Sequence, residues 1–172
     1  EMQRSLVGSE MCIRDSTYKG WNAKDRKAFE DMVINIWYPV IKDWTPRYNG
    51  NWDAANGQTL MCIGIFLDRR DIFDTACKQL TDGNTNGAIK NYFYESGQCQ
   101  ESGRDQQHVQ MGLAFLACAA EIAWNQDIDL YGAFDNRLYK GFEYTARYMS
   151  GEEVPHVQYI TWFGTVSYTH LT

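Results

Sequence analysis

The chain has 172 residues, of which 44% are hydrophobic and 22% charged, enough to bury one sizeable core. Its net charge of -6 comes without the basic stripe that a nucleic-acid binder shows, so that class is set aside. No stretch is long and apolar enough to span a membrane.

The two ends read as one DNA sequence in opposite orientations. Ser9 to Ser16 can be written in codons as AGT GAG ATG TGT ATA AGA GAC AGT, whose reverse complement translates as Thr165 to Thr172. A linker ligated in inverted orientation to both ends of a fragment must give this relation, and its core resembles the transposase end used in preparing sequencing libraries. Residues 1–16 and 165–172 are therefore expected to be non-native, adapter-derived segments around a native piece, residues 17–164. The piece remains mildly acidic. Its cysteines, Cys62, Cys77, Cys99 and Cys118, form no CxxC pair and read as buried free thiols, and no metal site is expected of them.

From Ala23 to Trp44 the apolar residues Phe29, Val33, Ile36, Trp37, Val40, Ile41 and Trp44 recur at three and four residues, the period of one helix face. Pro39 should kink or interrupt that helix. Pro46 to Gly50 reads as a turn, Trp52 to Leu67 as a second helix and Asp71 to Leu80 as a third. Thr81 to Gly87 is a loop by composition, and periodicity leaves Ala88 to Tyr94 open between helix and strand. Ser102 to Trp124 is a long helix, with Ser102-x-x-Asp105 spaced as a capping box. Asp135 to Tyr148 is the last helix, stopped by Ser150-Gly151. Helices joined by short loops argue an all-α fold of antiparallel hairpins; an open solenoid and a closed α/α toroid fit the pattern equally.

Glu101, Arg104, Asp105 and His108 lie at relative positions 0, 3, 4 and 7, one stripe of the long helix or its entry turn. Continued through Met111, Gly112, Phe115, Ala119 and Ile122, the stripe turns apolar, so the ionisable groups should stand where a core-facing stripe meets a cleft. His108 beside carboxylates has the chemistry of a proton-transfer group. The bland readings are a helix N-terminus that favours acidic residues and a routine ion pair at Arg104. Asp105 and His108 as metal ligands would lack a third. Asn49-Gly50-Asn51-Trp52-Asp53 is the second candidate segment: asparagine there serves as a cap or a hydrogen-bond donor, and Trp52 as core or as a platform for a sugar ring.

Five ordered motifs then resemble the alginate lyase family, closest to its glucuronan lyase branch, over nearly all of Thr17 to Pro155: Asn49-Gly50-Asn51-Trp52-Asp53-Ala54, Asp68 to Asp74, Gln98 to His108, Ala120 to Gln126, and Gly141 to Ala146. The resemblance implies a polysaccharide lyase on an incomplete α/α toroid, acting on an acidic polysaccharide and exported to the periplasm or cell exterior. Family members are considerably longer, so this piece is expected to be an internal fragment. In the alginate branch an Asn-Asn-His motif supplies an asparagine that neutralises the substrate carboxylate; Asn51 matches it, while Trp52 stands where the histidine would be. The same branch has a catalytic tyrosine four residues after an arginine; here His108 stands four after Arg104. The resemblance implies Asn51 and His108 as catalytic residues; the chemistry adds Arg104 to aid Asn51 and Glu101 or Asp105 to orient His108, and Trp52, Asp53, Glu101, Asp105 and Tyr144 are expected in contact with substrate. Tyr144, Tyr159 or a residue beyond the fragment remain the candidates for a catalytic tyrosine. No cofactor is expected.

The expected reaction is β-elimination at a uronate, in which a neutralised carboxylate allows a base to take the C5 proton and an acid to protonate the departing oxygen. Two other classes compete. A glycoside hydrolase would need two carboxylates flanking the bond, with Asp53 as partner to the helix pair. A non-catalytic sugar-binding scaffold would keep the aromatics and have no need of His108.

Overall fold

The computed structural model describes residues 18–43 and 49–158, together with the backbone of a short strand pair, Ile160–Thr161 and Gly164–Thr165. The linker-like segment 1–16, the Trp44 end of the first helix, Pro46 and the Tyr159 side chain lie outside the described residues, as do residues 166–172. Thr165, where the second linker-like segment begins, pairs opposite Ile160.

Among the described residues the fold is all-α. Helix α1 spans Ala23–Met32 and passes through a π-helical turn, Val33–Trp37, into α2, Tyr38–Ile41. Pro39 causes this. Lacking an N–H and crowding the carbonyl one turn back, it cannot continue an α-helical ladder. The Tyr38 amide accordingly reaches five residues back to Val33. The wider turn rotates the residues around and after it relative to the plain helical period. Phe29, Val33, Ile34, Tyr38 and Ile41 pack inward, while Ile36, Trp37 and Val40, expected on the same face, are exposed.

Helix α3, Gly50–Phe66, and α4, Arg70–Asp82, form an antiparallel hairpin across a tight turn. Segment 88–94, left open by periodicity, is both: a single helical turn, α5 (Ile89–Tyr92), then Phe93 bridged to Cys99 as extended chain. A 3-10 turn, Gln100–Gly103, leads to α6, Gln106–Trp124, and α7, Ala133–Met149, returns along it. The first residues of α7, Phe134 to Asn136, are left-handed, so its right-handed course begins at Arg137. Cys62 and Cys118 are only half-buried, in contrast to the expectation; Cys77 and Cys99 are buried, and all four are free thiols.

The two longest helices of the inner layer, α3 and α6, run side by side in the same sense. At one end the Gly50 amide donates to the Gln100 side chain; at the other, Gly64 and Ile65 share a hollow with Gln126. Helices α4 and α7 run antiparallel to them. This alternation is that of an arc of an α/α toroid, with parallel inner helices and returning outer ones. Its core runs from Leu60, Met61 and Ile63 on α3 through Ile72, Phe73 and Leu80 on α4 to Leu113, Leu116 and Ile122 on α6.

Tyr92 is fully buried between the inner helices. A Cβ at Gly50 would run into its ring, and one at Gly112 would overlap its hydroxyl. Gly112→Ala should therefore destabilise by about 1–3 kcal/mol, the usual cost of overpacking. Denaturant melts should also show a smaller cost in a Tyr92→Phe background; equal costs in both backgrounds would mean that the two groups do not collide.

Candidate functional site

The site begins with a broken helix. Instead of the continuous helix expected from Ser102, the 3-10 turn ends at Gly103, and Asp105 is extended (φ -165, ψ 159) before α6 starts at Gln106. The cap is Asp105, not Ser102: its carboxylate accepts from the His108 amide at 2.9 Å. The Ser102 hydroxyl instead serves the turn before, accepting from the Cys99 amide at 3.1 Å. An ionised carboxylate closes a helix N-terminus better than a hydroxyl because it also meets the positive end of the helix.

The same carboxylate holds the His108 ring, its oxygens 2.8 and 2.6 Å from Nδ1. A carboxylate can only accept, so Nδ1 carries the proton and Nε2 of the neutral ring keeps its lone pair. The hydrogen bond from the His108 amide, then the ring and the Arg104 guanidinium, hold the Asp105 carboxyl below the usual carboxylate range. Arg104 bridges two acids, with its guanidinium 3.5 Å from Glu101 and 3.6 Å from Asp105.

Exposure sorts the candidates. Gly112, Ala119 and Ile122 of the expected stripe are buried, together with Val109, Leu113, Leu116 and Ala120 beside it, while Met111 is 37% exposed. Asp105 and His108 therefore stand at the edge of the buried face, with side chains 31% and 26% exposed. Glu101 is fully buried beneath Arg104. Trp52 is 63% exposed at the start of α3, outside the core.

Asn51 and Asp53 sit in the first turn of α3, whose cap is Asn49. Asn51 is 3% exposed and its Oδ1 has no hydrogen-bond partner among the described residues. Its neighbour Gly50 is tied to Gln100, which precedes Glu101 in the 3-10 turn. The N-termini of α3 and α6 thus open at the same end of the arc. Two positive helix ends converge there, and such ends favour an anion.

Asp53, expected to touch substrate, is fully buried and accepts from the Gly87 amide at 3.2 Å, holding loop 84–87 against α3. Tyr144, a second such candidate, is 7% exposed and donates its hydroxyl to the Pro155 carbonyl at 2.9 Å. Gln98 and Gln100 escape sequence reasoning, because both act on residues some fifty or more positions away. Among the described residues no group of three His, Cys, Asp or Glu could hold a metal ion.

Burial pushes the Asp53 carboxyl up to about 7, against the lowering influence of the Gly87 amide and the Thr85 side chain. The folded chain thus keeps a proton that the unfolded chain releases at the ordinary carboxylate value. Stability from this group is complete in acid and is lost as pH rises through about 7. Asp53→Asn should flatten the fall in Tm between about pH 4 and pH 7; the same slope in both proteins would show that Asp53 does not titrate there.

No curated protein and no solved structure matches the chain. The family described as alginate lyase matches residues 4–155, which includes part of the segment read as linker-derived. That match covers most of the chain, and the protein belongs to the alginate lyase family of polysaccharide lyases.

Proposed function

We propose that the chain cleaves a uronic-acid-containing polysaccharide, of alginate or glucuronan type, by β-elimination. The observation that carries the reading is the Asp105–His108 pair at the shared end of two helix N-termini. In a uronate the C5 proton becomes removable when the charge that develops on the carboxylate is held. The converging helix ends and the Arg104 guanidinium supply that field, and the Asn51 amide the hydrogen bond. His108, its Nδ1–H spent on Asp105, takes the C5 proton on Nε2; the electrons form the C4–C5 double bond, the C4–O bond breaks, and the protonated Nε2 returns its proton to the departing oxygen. Trp52 offers an exposed face on which a sugar ring can stack. Glu101 acts from below the surface, through Arg104.

Burial argues against a hydrolase. Its two carboxylates would have to flank the glycosidic bond, and both Glu101 and Asp53 are sealed from solvent. The family supports a periplasmic or extracellular place of action.

Elimination leaves a C=C bond conjugated to the carboxylate, so turnover of alginate or polyglucuronate is read by ultraviolet absorbance, which a hydrolase does not produce. His108→Gln should keep the fold and lower the rate by about two or more orders of magnitude. Asp105→Asn still caps the helix but no longer fixes the tautomer, and should lower kcat with little change in Tm. Asn51→Ala should lower kcat/KM roughly a hundredfold. Full elimination by His108→Gln would transfer the role to a tyrosine such as Tyr144 or Tyr159.

A further inference from the structure

The break before α6 needs a hold from outside its own segment. Residues 102–108 contain no proline, and their one glycine, Gly103, weakens a helix without forbidding it. The chain nevertheless turns 3-10 over Gln100–Gly103 and is extended at Asp105. One anchor lies on the α3 side, where the Gly50 amide donates to the Gln100 side chain. A second lies on the other side, where the irregular segment 152–158, a strap that follows α7, meets the turn.

The contact between strap and turn is direct. A Cβ at Gly103 would stand 3.3 Å from Nε2 of His156. Ser102, before the break, and Gln106, after it, line one hollow together with Glu153, Val154 and His156 of the strap. The strap therefore touches the chain on both sides of the break.

Gln98 seats the strap. Its side chain, 1% exposed, exchanges two hydrogen bonds with the Val157 backbone: the amide donates to the carbonyl, and the oxygen accepts from the Val157 N–H at 2.9 Å. One carboxamide thus satisfies both backbone groups of Val157, as a neighbouring strand would. A carboxylate could not, because it has no hydrogen to donate. Gln98 is itself fixed, since the Tyr94 amide donates to its carbonyl at 2.9 Å and Phe93 is bridged to Cys99. On either side of Val157, the Tyr144 hydroxyl donates to the Pro155 carbonyl at 2.9 Å and the Tyr94 hydroxyl to the Gln158 carbonyl at 3.4 Å.

We propose that Gln98 is a positioning residue of the elimination site: by seating the strap it keeps His156 against Gly103 and holds the break from which the Asp105 carboxylate reaches the His108 amide and ring. Sealed from solvent, Gln98 touches no substrate and acts only through the turn. The proposal rests on the reading of Asp105 and His108 as the proton-transfer pair and adds a residue remote from the reacting atoms.

Hydrogen exchange of the whole chain tests the hold without turnover. The His108 amide, closed by the Asp105 carboxylate, reports the break, and the amide of Leu80 in α4 reports the rest of the fold. Gln98→Met keeps the volume and removes both hydrogen bonds. It should lower the protection of the His108 amide about tenfold or more and leave Leu80 unchanged. His156→Ala, at an exposed position, should lower His108 protection in the same direction. In Gln98→Met, kcat for uronate elimination should fall roughly ten- to a hundredfold, as misplacement of a proton-transfer group does. Unchanged His108 protection in Gln98→Met, or an equal loss at His108 and Leu80, overturns the proposal; should that variant not fold, unchanged protection in His156→Ala does so. Full turnover by a Gln98→Met chain whose His108 amide has lost its protection overturns it as well. A wild-type chain that yields no ultraviolet-absorbing product, while Gln98→Met loses protection at His108 alone, instead sinks the elimination reading and keeps the strap's hold on the turn.

Discussion

The site depends on one carboxylate. Asp105 ends the 3-10 turn, closes the N-terminus of α6 through the His108 amide and fixes the His108 ring through Nδ1. These three tasks are compatible because a carboxylate has lone pairs enough for several donors in one plane. The break in the helix is what brings them together: in an unbroken helix through residues 102–108 the Asp105 side chain would point outward and could not reach the amide three residues on.

The second constraint is the parallel packing of α3 and α6. Tyr92 fills the space between them, and the Gly50 amide meets the Gln100 side chain at their common end. The starts of the two helices are therefore held at one end by buried geometry. Asp53 serves the same end. By holding loop 84–87 it keeps Asn86 and Gly87 packed over the start of α3. Burial at Asn51 and Asp53, in the first turn of one helix, contrasts with partial exposure at Asp105 and His108, in the first turn of the other. The first helix supplies a rigid floor and the second the groups that exchange with solvent.

Much of this is legible in the sequence. The helices follow the apolar period, Gly and Asn clusters mark the loops, and the cluster from Glu101 to His108 is contiguous, so its proximity needs no tertiary information. The illegible remainder has physical reasons. Pro39 announces an interruption but not its form, and the π turn moves Ile36, Trp37 and Val40 from the inner face to the surface. Ser102 and Asp105 both have capping chemistry, and only the break at Gly103 decides between them. Asp53 and Trp52 carry the same expectation of meeting substrate; one is sealed and the other is open, a difference of helix phase that the neighbouring elements decide. The long-range anchors Gln98 and Gln100 carry no local signal.

The central claim, that Asp105 sets His108 as a proton acceptor at Nε2, is tested most directly by the imidazole tautomer. Two-dimensional ¹⁵N–¹H correlation of the ring nitrogens, at a pH where His108 is neutral, should show Nδ1 protonated and Nε2 bare. Asp105→Asn should disturb that state. A neutral His108 with its proton on Nε2 would contradict the account, because Nε2 would then be a donor with no lone pair to receive the C5 proton.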